Sequence, residues 1–140
     1  NIVDATRFGR DPLKELADEC ARQGVPLGFY YSQTQDWHHP DGDGNDWDYE
    51  PARKDFARYI EDYVIPQVRE ILTNYGPVAV IWFDTPKGIS SEQSQLLLDT
   101  VHEMQPGCLV CADHGSAVHR DGALSHRMRS PAATPGRPPR

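Results

Sequence analysis

Val78-Ala-Val-Ile-Trp-Phe-Asp84 decides the fold: an almost uninterrupted run of β-branched and aromatic residues that stops on a carboxylate. No polar alternation interrupts it, which fits a parallel strand covered on both faces better than a strand with one wet face. In parallel α/β sheets and barrels the chemistry sits at the carboxyl ends of the strands, and Asp84 falls there. A turn or helix-cap role for Asp84 is the plainer alternative, but the next helix begins near Ser90, too late for Asp84 to cap it. Trp82 and Asp84 are two residues apart, so an indole and a carboxylate share one strand face.

Upstream, Gly76-Pro77 closes a long helical stretch, Pro51 to Tyr75, whose apolar residues Phe56, Tyr59, Ile60, Tyr63, Val64, Val68, Ile71, Leu72 and Tyr75 keep one phase. Pro66 should kink or split it, because proline lacks the N–H and its ring crowds the preceding turn. Leu27 to Ser32 reads as another strand, with Gly28, Tyr30 and Ser32 on the face toward a barrel interior. Before it, Asp11 caps a helix with Pro12 in its first turn, Gly24 ends it, and Leu13, Leu16, Ala17, Cys20 and Ala21 form one buried face. Cys20 reads as a small core residue. Residues 1–9 read as a loop.

Downstream, Pro86 to Ile89 is a turn, and Ser90 with Gln93 forms a capping box for a helix carrying Leu97, Val101 and Met104. Pro106-Gly107 stops that helix, and a strand follows at 108–111. Strands and helices in alternation point to βα units and an α/β fold with parallel strands near 27–32, 78–84 and 108–111. Between the first strand and the long helical stretch lies a loop, Gln33 to Glu50, carrying Trp37, His38, His39, Trp47, Tyr49 and five aspartates. Loops longer than about 12–15 residues are uncommon unless functional or disordered, and the aromatic content favours an ordered, functional one.

The chain of 140 residues is long enough for one domain but short for a complete parallel barrel, which takes roughly 200 or more. It starts at Asn1 with no initiator methionine and no apolar leader-like run, so it reads as a piece whose true start lies elsewhere. A formal charge of −7 disfavours nucleic-acid and anionic-membrane partners. Three cysteines make no disulfide framework and leave the compartment undecided.

Composition breaks near Cys111. No aromatic residue follows Phe83 and no glutamate follows Glu103, and 112–140 is rich in Arg, Pro and Ala. Two readings stand: a disordered tail, or a reading frame lost between Cys108 and Asp113. The domain division is therefore one α/β unit over 1–111 and this tail over 112–140.

Metal sites fit poorly. Cys108 and Cys111 with His114 and His119 give a Cys2His2 set on paper, but only two residues separate the pairs where about a dozen are needed. Asp41-Gly-Asp43-Gly-Asn45-Asp46 imitates a calcium loop without its glycine at position six or its closing glutamate. His38-His39 read as solvated. No phosphate loop, nucleophile elbow or dinucleotide fingerprint occurs. A strand-end carboxylate beside aromatic rings remains, which is what a carbohydrate site needs: ring faces stack on sugar C–H faces while the acid meets the anomeric carbon.

Asp11 to Gly24, Leu27-Gly-Phe-Tyr-Tyr-Ser32, Asp36-Trp-His-His-Pro40, Gln67 to Gly76 and Val80-Ile-Trp-Phe-Asp84, in this order, resemble the α-L-fucosidases of glycoside hydrolase family 29 over about residues 1–109. The resemblance implies a (β/α)8-like catalytic barrel, of which 1–111 would be an incomplete fragment, together with retaining hydrolysis of terminal α-L-fucosides and no metal or organic cofactor. Asp84 matches the nucleophile, Tyr30 and Trp82 match fucose contacts, and Trp37 matches a rim tryptophan. The family's paired histidines lie upstream of Asn1, so His38-His39 are not their equivalents. Its acid/base glutamate lies downstream of the nucleophile strand, where this chain has none, so the chain should be a poor or dead catalyst on its own. A dead carbohydrate-binding remnant and a non-functional relic are the alternatives. Oligomeric state and linkage preference carry no sequence signal.

Overall fold

A computed structural model of the chain describes residues 2–112. In chain order its elements are α1 (Ile2–Ala5), α2 (Pro12–Gln23), β1 (Leu27–Ser32), α3 (Phe56–Tyr59), α4 (Ile65–Asn74), β2 (Val78–Asp84), α5 (Ser91–Met104) and β3 (Leu109–Ala112). The three strands form one parallel sheet in the order β1-β2-β3. The first two occupy the predicted residues, and the third starts one residue later than expected.

Local chemistry explains most element ends. Asp11 accepts the backbone N–H groups of Leu13 and Lys14, and Gly24 closes α2 at φ +68°, a left-handed position that favours glycine. Ser90 and Gln93 exchange both bonds of a capping box at the start of α5. The loop expected over 1–9 instead contains one helical turn, α1, closed when the Thr6 hydroxyl donates to the Ile2 carbonyl at 2.7 Å.

The long helical stretch is split, as Pro66 demands. A π-turn over Ile60–Val64 joins α3 to α4, and Pro66 sits in the first turn of α4. The wider turn carries the Asp62 carbonyl away from the proline ring, which would clash with it in a regular α-helix. A 3₁₀ turn over Pro51–Arg53 precedes α3.

The core lies between one sheet face and the helices. Tyr59, Ile60, Val64, Val68 and Leu72 meet Ile81 and Phe83 of β2 and Leu97 and Val101 of α5. Each such side chain contributes about 1.5–3 kcal/mol by leaving water. The opposite sheet face departs from expectation. Among the described residues nothing covers it, and Tyr30 and Trp82 remain 56% and 46% exposed. The reason is placement: α3, α4 and α5 all pack on the Ile81/Phe83 side. Gly28 on the open face lets the strands close up there, since a Cβ would stand 2.6 Å from Val80 Cγ1.

The buried face expected on α2 is also only partly realised. Ala17 is buried and Cys20 half-buried, packed with Leu27, Phe29 and Tyr75, whereas Leu13 and Leu16 are exposed. Contact with the edge strand β1 reaches only the near side of the helix.

Candidate active site

β1 and β2 end side by side, with Tyr30 opposite Trp82 and Ser32 opposite Asp84. Parallel pairing puts each pair on the same face, so the sequence alternation carries these four residues onto the open side of the sheet. The Tyr30 hydroxyl donates to Asp84 Oδ2 at 2.6 Å, and the Tyr30 and Trp82 rings meet edge to face at 5.5 Å and 83°. The sequence thus brought Tyr30, Trp82 and Asp84 to one place, and the structure joins them.

The other carboxylate oxygen is held by a residue the sequence did not single out. Thr85 N–H donates to Asp84 Oδ1 at 2.6 Å, with Thr85 at φ +54°. A β-branched residue in that region is strained, and one preceding a proline doubly restricted. Three contacts hold it there. Ser32 Oγ and Thr85 Oγ1 lie 2.6 Å apart, Thr85 Oγ1 donates to the Asp84 carbonyl at 2.7 Å, and Thr34 Oγ1 donates to the Thr85 carbonyl at 2.5 Å. Gln33 N–H adds a bond to the Asp84 carbonyl at 3.2 Å. The dipeptide Thr85-Pro86 predicts extended backbone, so no local signal reveals this turn.

Trp37 lies on the 33–50 loop, where its ring contacts Trp47. That loop is held from within. Asp36 accepts the N–H groups of His38 and His39, and the His39 ring packs against Tyr63 at 4.6 Å and Tyr59 at 5.0 Å. His39 is therefore a half-buried wall of the loop rather than the solvated residue expected, because the tyrosines of α3 and the π-turn reach it. Lys54 Nζ donates to the Gly42 carbonyl at 2.9 Å, Asn45 Oδ1 at 2.5 Å and Asp46 Oδ1 at 2.7 Å. Asp41 accepts Asp55 N–H, and Asp43 pairs with Lys87 at 3.1 Å. The acidic groups that imitate a calcium loop thus face different donors. Beneath the loop, burial chiefly raises the Tyr31 and Tyr59 phenols well above their usual value, with nearby acidic groups adding to it. Tyr31 donates to Gln67 at 2.6 Å and serves the packing.

Cys108 is buried and Cys111 exposed, and His114 and His119 lie outside the described residues, as does nearly all of the 112–140 segment.

A carboxylate fixed by two donors at a strand's carboxyl end, beside an exposed indole, suits attack on a sugar's anomeric carbon. Comparisons with known proteins give the family. The profile of the family described as Alpha-L-fucosidase matches residues 1–131. The chain belongs to the alpha-L-fucosidase family. Alpha-L-fucosidase 1 of Arabidopsis thaliana is 29% identical over 113 residues, covering 77% of this chain and 20% of that protein. Among solved structures, alpha-L-fucosidase AlfC from Lactobacillus casei with its alpha-L-fucose product superposes with a TM-score of 0.75 at 42% identity, over 79% of this chain and 38% of AlfC. A mutant of AlfC in complex with Fuca(1,6)GlcNAc matches at TM-score 0.75 and 41% identity, over the same 79% of this chain and 39% of the other. The chain thus spans well under half the length of these fucosidases, and its three-stranded α/β fragment corresponds to part of a fucosidase catalytic domain.

Proposed function

We propose that this segment carries the nucleophile half of a retaining α-L-fucosidase site, and that its strands belong to a (β/α)8-type barrel. The observation that carries the reading is the Tyr30–Asp84 hydrogen bond of 2.6 Å beside Trp82, at the carboxyl ends of adjacent parallel strands in a member of this family. The face left open by the helices is the side a barrel would turn inward, and it holds all three residues.

In this reading fucose lies against Trp82 and Tyr30. An Asp84 oxygen attacks the anomeric carbon, the glycosidic C–O bond breaks, and a fucosyl ester of Asp84 forms while the leaving oxygen takes a proton from an acid. Water then attacks the ester, losing a proton to the conjugate base of that acid, and releases fucose with the Asp84 carboxylate restored. Tyr30 and the Thr85 N–H keep the carboxylate aimed throughout. The acid/base requires a second carboxyl group about 5–5.5 Å from the first. No glutamate follows Glu103 in this chain, so hydrolysis of natural fucosides should be slow or absent, while ester formation with a leaving group that needs no proton should survive.

The test is intact-mass measurement of the 140-residue chain after incubation with 2-deoxy-2-fluoro-α-L-fucosyl fluoride. Fluoride departs unprotonated, so a fucosyl adduct on Asp84, absent in Asp84→Ala, is expected. Labelling elsewhere, or none, would overturn the assignment. In an intact homologue carrying this segment, Asp84→Ala should abolish turnover and azide should restore part of it by replacing the lost carboxylate. A second reading, a fucose-binding remnant without catalysis, is favoured by the exposed Tyr30 and Trp82 rings together with the missing glutamate. Fucose binding without adduct formation would support it.

A further inference from the structure

We propose that Trp37 and Trp47 form a second sugar subsite, which receives the neutral pyranose to which a terminal fucose is attached. The two indoles meet edge to face at 6.0 Å and 77°, and they are 63% and 68% exposed. A right-angled pair offers one ring face for stacking and a second ring as a side wall, a shape suited to a pyranose with its C–H face down. Among the described residues nothing packs over these outer ring faces, although burying either ring would favour folding.

The loop is built to hold the pair in place. Gly44 at φ +90° leaves room for the Trp37 indole, whose Nε1 would stand 2.7 Å from a Cβ there. Asn45, fully buried between the two tryptophans, accepts from Lys54, donates to the His39 carbonyl and receives the N–H groups of Asp48 and Tyr49 on its own carbonyl. Polar groups fix the loop from inside while the apolar rings face out. Five aspartates on the same loop, with Lys54 and Lys87 as cationic partners, make an anionic ligand unfavourable and leave a neutral one the better fit.

Position selects the leaving-group side. Thr34 is wholly buried and bonded to the Thr85 carbonyl, next to Asp84, and Trp37 follows three residues later. Three residues reach at most about 10 Å, a span that one or two pyranose rings fill. The proposal rests on the fucosidase reading for the identity of the sugar at Asp84. It adds Trp47, to which no role has been given, and gives the rim tryptophan Trp37 the neighbouring sugar.

The chain contains three tryptophans, so each indole N–H gives its own signal in a 15N-labelled sample, assigned by tryptophan-to-phenylalanine substitution. The full chain is titrated with L-fucose and with Fucα(1,6)GlcNAc. Fucose should shift Trp82 alone. The disaccharide should shift Trp82, Trp37 and Trp47 and bind about three- to tenfold more tightly. Trp47→Ala should reduce that affinity to the fucose level, and Trp47→Phe, which keeps a ring, should retain most of the gain. A disaccharide that shifts Trp82 and leaves Trp37 and Trp47 unmoved overturns the subsite while the fucose reading stands. Shifts at Trp37 and Trp47 with Trp82 silent overturn the fucose reading and, with it, a subsite defined as its neighbour. No response at any indole overturns both.

Discussion

Ile81 and Phe83 on one face of β2 are almost wholly buried, whereas Trp82 between them is half exposed and Asp84 ends the strand on that open side. The same seven residues thus pack on one face and leave the other open. The helices supply the difference, because α3, α4 and α5 cover only the Ile81/Phe83 side. A side chain's exposure here reports which face it occupies rather than how apolar it is, and stability and ligand binding should respond to separate substitutions.

The sharpest way to break that contrast is Phe83→Ala against Trp82→Ala. The first should cost about 3–5 kcal/mol in chemical denaturation through a lost contact and a cavity. The second should cost under about 1 kcal/mol yet abolish the fucose-dependent fluorescence change. Equal costs would mean that the open face is packed in solution. Next in size is Lys54→Met, which removes a nearly buried ammonium from three oxygens and should cost about 1–3 kcal/mol. It should also broaden the Trp37 and Trp47 signals while leaving that of Trp82 sharp.

A pH titration separates the faces differently. The buried Tyr31 and Tyr59 have phenol pKa values raised above the ordinary 10.0, and Tyr63 shifts the same way for the same leading reason, burial. Below pH 10 these groups are protonated in both states and their contribution to stability is complete. Above it the unfolded chain releases protons first, so stability should fall as pH rises toward the folded-state values. Phenolate absorbance should then appear together with unfolding. Smooth titration of every tyrosine in a folded chain would contradict the buried cluster. The smallest effect on stability is expected from Tyr30→Phe, within about 0.5 kcal/mol, while fucosyl labelling of Asp84 should slow about tenfold as its carboxylate loses a donor.

Where signals were local, the sequence carried them. The apolar run ending at Asp84, the Asp11 and Ser90 caps and the terminal Gly24 each state their conformation within a few residues, and the strand alternation placed Tyr30, Trp82 and Asp84 on one face. What escaped depends on distant partners. His39 is buried by tyrosines about twenty residues later, and Thr85 is held at positive φ by Ser32 and Thr34, more than fifty residues earlier. Coverage of the sheet escaped for a related reason. An unbroken apolar strand looks the same whether its second face meets helices or a cavity, and Leu13 and Leu16 show the same ambiguity on α2.

Gly28 has no side chain, yet it governs how closely β1 approaches β2 just below the Tyr30–Asp84 pair. A methyl group there would press on Val80, and the strands would part where the hydroxyl must reach the carboxylate. Variation at this position is therefore a route by which the geometry at the strand ends could drift with Tyr30, Trp82 and Asp84 all intact. Surveys that look only for altered chemistry-bearing side chains would overlook it.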